Sequence, residues 1–223
     1  MRYSLIAIAA LMSATALQAQ DADRSVKGGV QVAGWKARVD RRPMSQGKSV
    51  NDSKLVNEGG ALRLSVGPAG NFWNDAHVAK GDYTVKATFD ELKMAASHPH
   101  SYGIFIGGHD LESDHETLMY CIAYGNGTYS IKTFHGEKVT TLVNTEASPA
   151  LHKADANGES KNEIGWSVKG GKASCVINGQ TVKTLESSDV IADDKLTSLD
   201  GTYGIRVSHN LELKVSGLAM AKQ

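Results

Sequence analysis

Apolar residues along this chain recur chiefly with a period of two. In residues 82–89, Tyr83, Val85, Ala87 and Phe89 alternate with Thr84, Lys86 and Thr88. Side chains of a strand point alternately to its two faces, so the pattern predicts a strand with one face on a core and one in water. Residues 61–66 repeat it with Leu62, Leu64 and Val66, and residues 163–168 with Ile164, Trp166 and Val168. Trp166 is therefore expected inside. Residues 102–108 and 117–124 are apolar at nearly every position, as central strands covered on both faces would be.

Turn residues punctuate these runs. Gly67-Pro68-Ala69-Gly70 stops the strand at 61–66. Tyr124-Gly125-Asn126-Gly127 reverses the chain into a strand at 128–134, and Gly170-Gly171 into one at 173–177. Asn178-Gly179 is a type I′ hairpin signal, because both central residues of that turn need positive φ; it leads into 181–185. Asp200-Gly201 opens a strand at 203–208, and His209-Asn210 separates it from a last one at 211–218. Residues 26–39, around Trp35, read as one or two edge strands. Residues 40–58 read as loop, 135–161 as loop with a strand at 139–143, and 186–199 as loop with a short helix at 190–196. Many short strands, almost no helical periodicity and no repeat of solenoid period predict an all-β sandwich or barrel.

Four stretches carry a resemblance. GDYTVKATF (81–89), SYGIFIGG (101–108), NEIGWSVKGGKASCVINGQTV (162–182) and DGTYGIRVSHNLELKVSGLAM (200–220) resemble the concanavalin-A-like jelly roll. They are most similar to secreted bacterial domains of the laminin-G-like and 3-keto-disaccharide-hydrolase-like type. The resemblance spans roughly residues 60–220 and implies a sandwich of two antiparallel sheets, one of them concave, with ligands on the concave face or its rim loops. That superfold hosts lectins, glycosidases and adhesion modules, so it implies no single function.

The start of the chain changes the address. Arg2 precedes a short apolar run, Leu5–Leu11, and Leu17-Gln18-Ala19 ends in the small residue a signal peptidase needs. Residues 1–19 are expected to be a signal peptide and 20–223 a single secreted or periplasmic β domain. The apolar run is too short to span a bilayer comfortably, and no later stretch does better. Cleavage takes one of the 24 basic residues and none of the 24 acidic ones. A near-neutral chain with no basic cluster lacks the footprint of a nucleic-acid binder. Glycans suit it better. Cys121 and Cys175 both fall inside predicted strands, where a secreted protein could join them or bury them as free thiols.

Two groups of residues could carry chemistry. Trp73 and Asn74, in a presumed loop, and Tyr102, Tyr120 and Tyr124, on the central strands, are of the types that stack on sugar rings and orient hydroxyls. Glu112-Ser113-Asp114-His115-Glu116 matches the ExDxE pattern of family-16 glycoside hydrolases. By that resemblance Glu112 is the nucleophile, Asp114 tunes it and Glu116 is the acid/base. The residues between the carboxylates are polar rather than apolar, and the stretch follows Gly107-Gly108, so it also reads as a solvated acidic loop. His98, His100, His109 and His115 flank one strand without zinc-site spacing. Calcium occurs in laminin-G-like relatives, but no motif here calls for it or for any other cofactor. No phosphate loop and no serine elbow is present. The expectation placed first is glycan binding without cleavage. A glycoside hydrolase using the 112–116 carboxylates comes second, and an interaction module of the envelope without a small ligand third.

Overall fold

The alternating pattern folds into two stacked sheets. The structure is a computed structural model that describes residues 21–94 and 98–223; the expected signal peptide lies outside the described residues. In chain order the strands are β1 (Gly29–Val30), β2 (Trp35–Val39), β3 (Lys54–Glu58), β4 (Ala61–Ser65), β5 (Gly70–Ala79), β6 (Tyr83–Glu91), β7 (Ser101–His109) and β8 (Thr117–Tyr124). They continue as β9 (Thr128–His135), β10 (Lys138–Ala147), β11 (Ser160–Lys169), β12 (Lys172–Ile177), β13 (Gln180–Glu186), β14 (Gly201–Val207) and β15 (Glu212–Lys222). Two short helices, α1 (Arg41–Ser45) and α2 (Ser187–Val190), interrupt them.

One sheet has eight strands in the order β1-β3-β4-β15-β6-β11-β12-β13, the other seven in the order β10-β9-β8-β7-β14-β5-β2. Pairing is antiparallel throughout, except between β1 and β3. This is the sandwich alternative of the all-β reading that the strand pattern predicts, and the jelly roll that the resemblance implies. Two hairpins show how locally it is specified. Asn178 and Gly179 have φ of 49° and 78°, and Gly170 and Gly171 of 55° and 76°, the all-positive turn that a right-handed twist favours.

The core lies between the sheets. Tyr83, Val85, Ala87 and Phe89 of β6 meet Tyr102, Ile104 and Ile106 of β7 across it, and all seven are buried. Trp166 is wholly buried there, and its indole N–H donates to the Ile104 carbonyl at 3.0 Å. Tyr102 belongs to the same interior. Its ring lies 5.5 Å from that of Phe89, and its hydroxyl is 2.9 Å from Ser160 Oγ. It was expected to line the open face of the sheet. Strand alternation turns it the other way, so Tyr102 is a core residue and not a ligand contact.

Two other expectations are revised. Residues 40–58 contain α1, a 3₁₀ turn at Val50–Asp52 and β3. Phe72, Trp73, Asn74 and Asp75 belong to β5, not to a loop. Pairing with β2 on one side and β14 on the other outweighs the weak strand preference of Asn and Asp.

Cys121 of β8 and Cys175 of β12 form a disulfide with Cα atoms 6.2 Å apart. It ties one sheet to the other through the middle of the core. The closed loop spans 54 positions, for which the chain-entropy argument gives a stabilisation of about 4 kcal/mol. The Cys121→Ala/Cys175→Ala variant should therefore lose about 4 kcal/mol in urea unfolding. A reductant should then move the midpoint of the wild type but not of the variant. An unchanged wild-type midpoint under reductant would remove the disulfide from the stability of the fold.

Candidate functional site

The seven-stranded sheet is apolar on its outer face as well. Residues out of phase with the core form a second buried cluster: Trp73 of β5, Phe105 of β7, Leu118, Tyr120 and Ile122 of β8, and Phe134 of β9, with Leu111 from the following loop. Gly204 of β14 makes room for one of these rings. A Cβ there would stand 2.7 Å from the edge of Phe105 and 2.4 Å from the Phe72 carbonyl. Tyr124 is half-buried at the margin of the cluster.

A charged network lies on these rings. The Arg206 guanidinium sits 5.1 Å from the Tyr120 ring centroid and 5.0 Å from that of Phe134, in cation–π range of both. It donates to both carboxylate oxygens of Asp40, through Nη2 at 2.6 Å and Nη1 at 2.5 Å, and to Asn71 Oδ1 at 3.3 Å. Planar guanidinium and planar carboxylate match in this two-bond geometry. Asn71 donates in turn to Glu116 Oε2 at 3.4 Å, while Glu116 Oε1 is 3.9 Å from Arg38 Nε. Glu116 is only 3% exposed. Burial pushes its carboxyl up to about 7, with Asp40 adding to the rise and Arg38, Arg206 and Arg41 opposing it.

The loop at 110–116 forms one wall. It is a set of turns and not a strand: Asp110 has φ of 51°, and the Ser113 N–H donates to the Asp110 carbonyl at 2.8 Å. The ExDxE carboxylates therefore do not share a strand face. Glu112 is ion-paired with Lys36, which also holds Asp75 at 2.7 Å. Asp114 accepts from Arg38 at 2.5 Å and lies 3.5 Å from Arg41. Those two arginines hold its carboxyl below the usual carboxylate range. Glu112 and Asp114 face solvent, and only Glu116 is drawn under the loop onto the sheet.

Three hollows border this wall. The first, about 430 Å³, is lined by Trp73, Asp75, His109, Asp110, Glu112 and Thr202. The second, about 490 Å³, lies between Ala37, Arg38, Met44, Glu112 and Asp114. The third, about 450 Å³, lies between α1 and the β9–β10 hairpin, lined by Asp40, Arg41, Arg42, Ser45, Glu116, Phe134 and Val139 among others. Glu112 is common to the first two, and the Arg41–Asp114 pair joins the second to the third.

Of the residues singled out in the sequence, the fold brings Trp73, Tyr120 and Glu116 to this face, with Tyr124 at its edge. Trp73 donates its indole N–H to Asp75 at 3.0 Å. Asn74, within β5, accepts from the Ala76 N–H at 2.9 Å. Sequence reasoning missed Arg206, Asp40, Asn71, Arg38 and Phe134. One signal was present: Arg206 stands alone in the run Ile205-Arg206-Val207, out of phase with the inward residues of its strand.

The histidines lie elsewhere. His100 is buried, its ring 4.5 Å from that of His209, which meets Asp23 at 2.7 Å. His109 bonds the Asp200 carbonyl at 2.9 Å, and His115 stays in the exposed loop. Among the described residues, no group of three or more His, Cys, Asp or Glu is placed to hold a metal ion. No helix among them is long and apolar enough to cross a membrane.

No family model and no curated protein matches the sequence. Solved structures do match the fold. The carbohydrate binding module CBM66 from Bacillus subtilis is similar with a TM-score of 0.58 at 8% identity, covering 87% of this chain and 99% of that one. An endo-β-1,3-glucanase from Pyrococcus furiosus gives 0.53 at 10% identity, covering 84% and 88%. A glycoside hydrolase family 16 endo-glucanase from Bacteroides ovatus gives 0.51 at 9% identity, covering 82% and 81%. The chain thus has a jelly-roll fold shared by carbohydrate-binding and glycan-cleaving proteins.

Two outcomes follow from the network. Arg206→Met should cost about 3 kcal/mol in urea unfolding, because it strands Asp40 over an apolar face; a loss under about 1 kcal/mol would mean the pair is incidental. Glu116 takes up protons more readily folded than unfolded. Between its ordinary value of 4.5 and about 7, the folded form keeps a proton the unfolded chain has lost, so stability falls as pH rises through that window. Glu116→Gln should flatten this fall, by up to about 3 kcal/mol at pH 8 relative to pH 4. Parallel pH profiles for variant and wild type would contradict it.

Proposed function

We propose that this protein binds glycans without cleaving them, on the outer face of the seven-stranded sheet and along the three hollows bordered by residues 110–116. The observation that carries this reading is the combination on one face: hollows walled in part by Trp73 and Phe134, and beside them a fixed polar network of Arg206, Asp40, Asn71 and Glu116. Sugar rings present flat C–H faces to aromatics and hydroxyls that both donate and accept, so they need this mixture. Trp73, Asn74 and Tyr124 are the proposed contacts, and Tyr120, buried beneath Arg206, supports the network from below. The similarity to a carbohydrate binding module supports the reading through the fold alone. Action outside the cytoplasm, after cleavage near Ala19, is part of the proposal. The buried Cys121–Cys175 bridge supports it, since such bridges persist in oxidising compartments.

A second reading, glycoside hydrolysis, draws on Glu116. A buried carboxyl held near 7 is the kind that donates a proton to a leaving oxygen. It stands second because Glu112, the matching nucleophile, is engaged by Lys36 at the surface.

A thermal-shift panel of oligo- and polysaccharides tests both. A specific glycan at a hundredfold excess over its Kd should stabilise the fold by about 2.7 kcal/mol, a rise of several degrees. Trp73→Ala, checked for folding, should abolish the shift. New reducing ends in the same mixture, lost in Glu116→Gln, would replace the binding reading with the hydrolase one. A panel with no shift would end both.

A further inference from the structure

A further hollow, about 640 Å³, is lined by Asp21, Ala22, Asp23, Asp40, Arg42 and His209 among others, and shares Asp40 and Arg42 with the third. Residues 21–24 reach it as a strap laid on the turn between β14 and β15. Asp23 Oδ1 is 2.7 Å from His209 Nδ1, and Asn210 Nδ2 donates to Asp21 Oδ2 and to the Ala22 carbonyl, both at 3.0 Å. Arg24 is fastened more firmly. Its guanidinium donates to the carbonyls of Val66 and Leu211 at 2.8 and 2.6 Å, and to Glu212 at 2.6 Å.

His100 lies against the strap and is 5% exposed. Its Nε2 has no hydrogen-bond partner among the described residues, and Asp21 Oδ2 stands 3.7 Å away, beyond bonding distance. Its ring meets that of His209 edge to face at 4.5 Å. A neutral imidazole fits this seat, whereas an imidazolium there is a buried cation without an acceptor. Burial first, and then His209, hold its value below the ordinary 6.5; His98 and Arg24 add to that and Asp21 opposes it. The remaining charges nearby do not answer a cation. Asp23 is engaged by His209 and Asp40 by Arg206, while Arg42 and Lys48 are cations themselves. A carboxylate only accepts, so neutral His209 already donates to Asp23, and acid is not what makes that bond.

We propose that residues 21–23 form an acid-released strap: a proton on His100 loosens them from the β14–β15 turn, with Arg24 as the anchor, and opens the hollow they wall. His100 takes a proton less readily with the strap docked than with it loose. The docked form therefore has its full advantage above 6.5 and loses it as pH falls below that, by up to about tenfold in the docked-to-loose ratio for each pH unit.

Spin-label mobility tests this. Both native cysteines are in the disulfide, so Ala22→Cys offers a single thiol at an exposed position. The ratio of mobile to immobile label should rise about tenfold or more between about pH 7.5 and pH 5, with the near-UV spectrum of the fold unchanged. His100→Gln, neutral at every pH, should keep the label immobile throughout. Without any His100 variant, the ring resonances of His100 in the wild-type protein should titrate below 6.5 with the midpoint of the label. A label equally mobile at both pH values, a strap that tightens in acid, or a pH response retained in folded His100→Gln would overturn the proposal. So would a His100 midpoint more than about one unit from that of the label, or mobility gained only with loss of the near-UV spectrum, which is unfolding of the whole domain.

Discussion

A guanidinium laid across two aromatic rings and gripped by both oxygens of one carboxylate sets the character of the outer face. A sheet that is apolar on both sides must cover the side not facing its partner sheet. Here Arg206 spreads over Tyr120 and Phe134, and Asp40 reaches in from the end of β2 to neutralise it. The charge stays on the face because it is compensated, and the rings stay shielded because the cation prefers their π surface to bare hydrocarbon. Asn71 and Glu116 are then fixed by what the pair leaves over.

Floor and wall of the site are held by interactions of different strength. The floor consists of paired strands carrying the buried Arg206–Asp40 pair and the Asn71 bonded to it. The wall at 110–116 is fastened by Lys36–Glu112, Arg38–Asp114 and Arg41–Asp114, in which the carboxylates are more than half exposed. Exposed pairs of that kind contribute at most about 1 kcal/mol each. The exposed middle of the wall at 112–114 is thus held loosely, while Leu111 and Glu116 at its two ends are anchored in the buried face.

Most of the strands were legible because period-two alternation and turn chemistry are local. Residues 82–89 and the Asn178-Gly179 turn announce themselves without knowledge of the rest. What was not legible depended on partners. β5 looked like a loop because Asn74 and Asp75 sit near Gly70, and only its neighbours β2 and β14 make it a strand. Tyr102 looked like a face residue because in an all-apolar run neither side is marked. The Arg206–Asp40 pair spans 166 positions, and no local pattern encodes it. The same holds for the disulfide, whose two strands lie in different sheets. The solvated reading of the Glu112–Glu116 stretch fits the turns found there, and its one buried carboxylate is the member adjoining β8.

β15 is not at an edge of its sheet. β15 lies between β4 and β6, pairing Leu213 with Leu64 and with Glu91, and Lys222 with Tyr83. Until residues 212–222 are in place, the eight-stranded sheet is two separate pieces with open edges facing one another. Neither piece has a complete sheet with which to cover the core of the other. Closure of that sheet therefore waits on β15, whose partners β4 and β6 lie more than a hundred positions away in sequence.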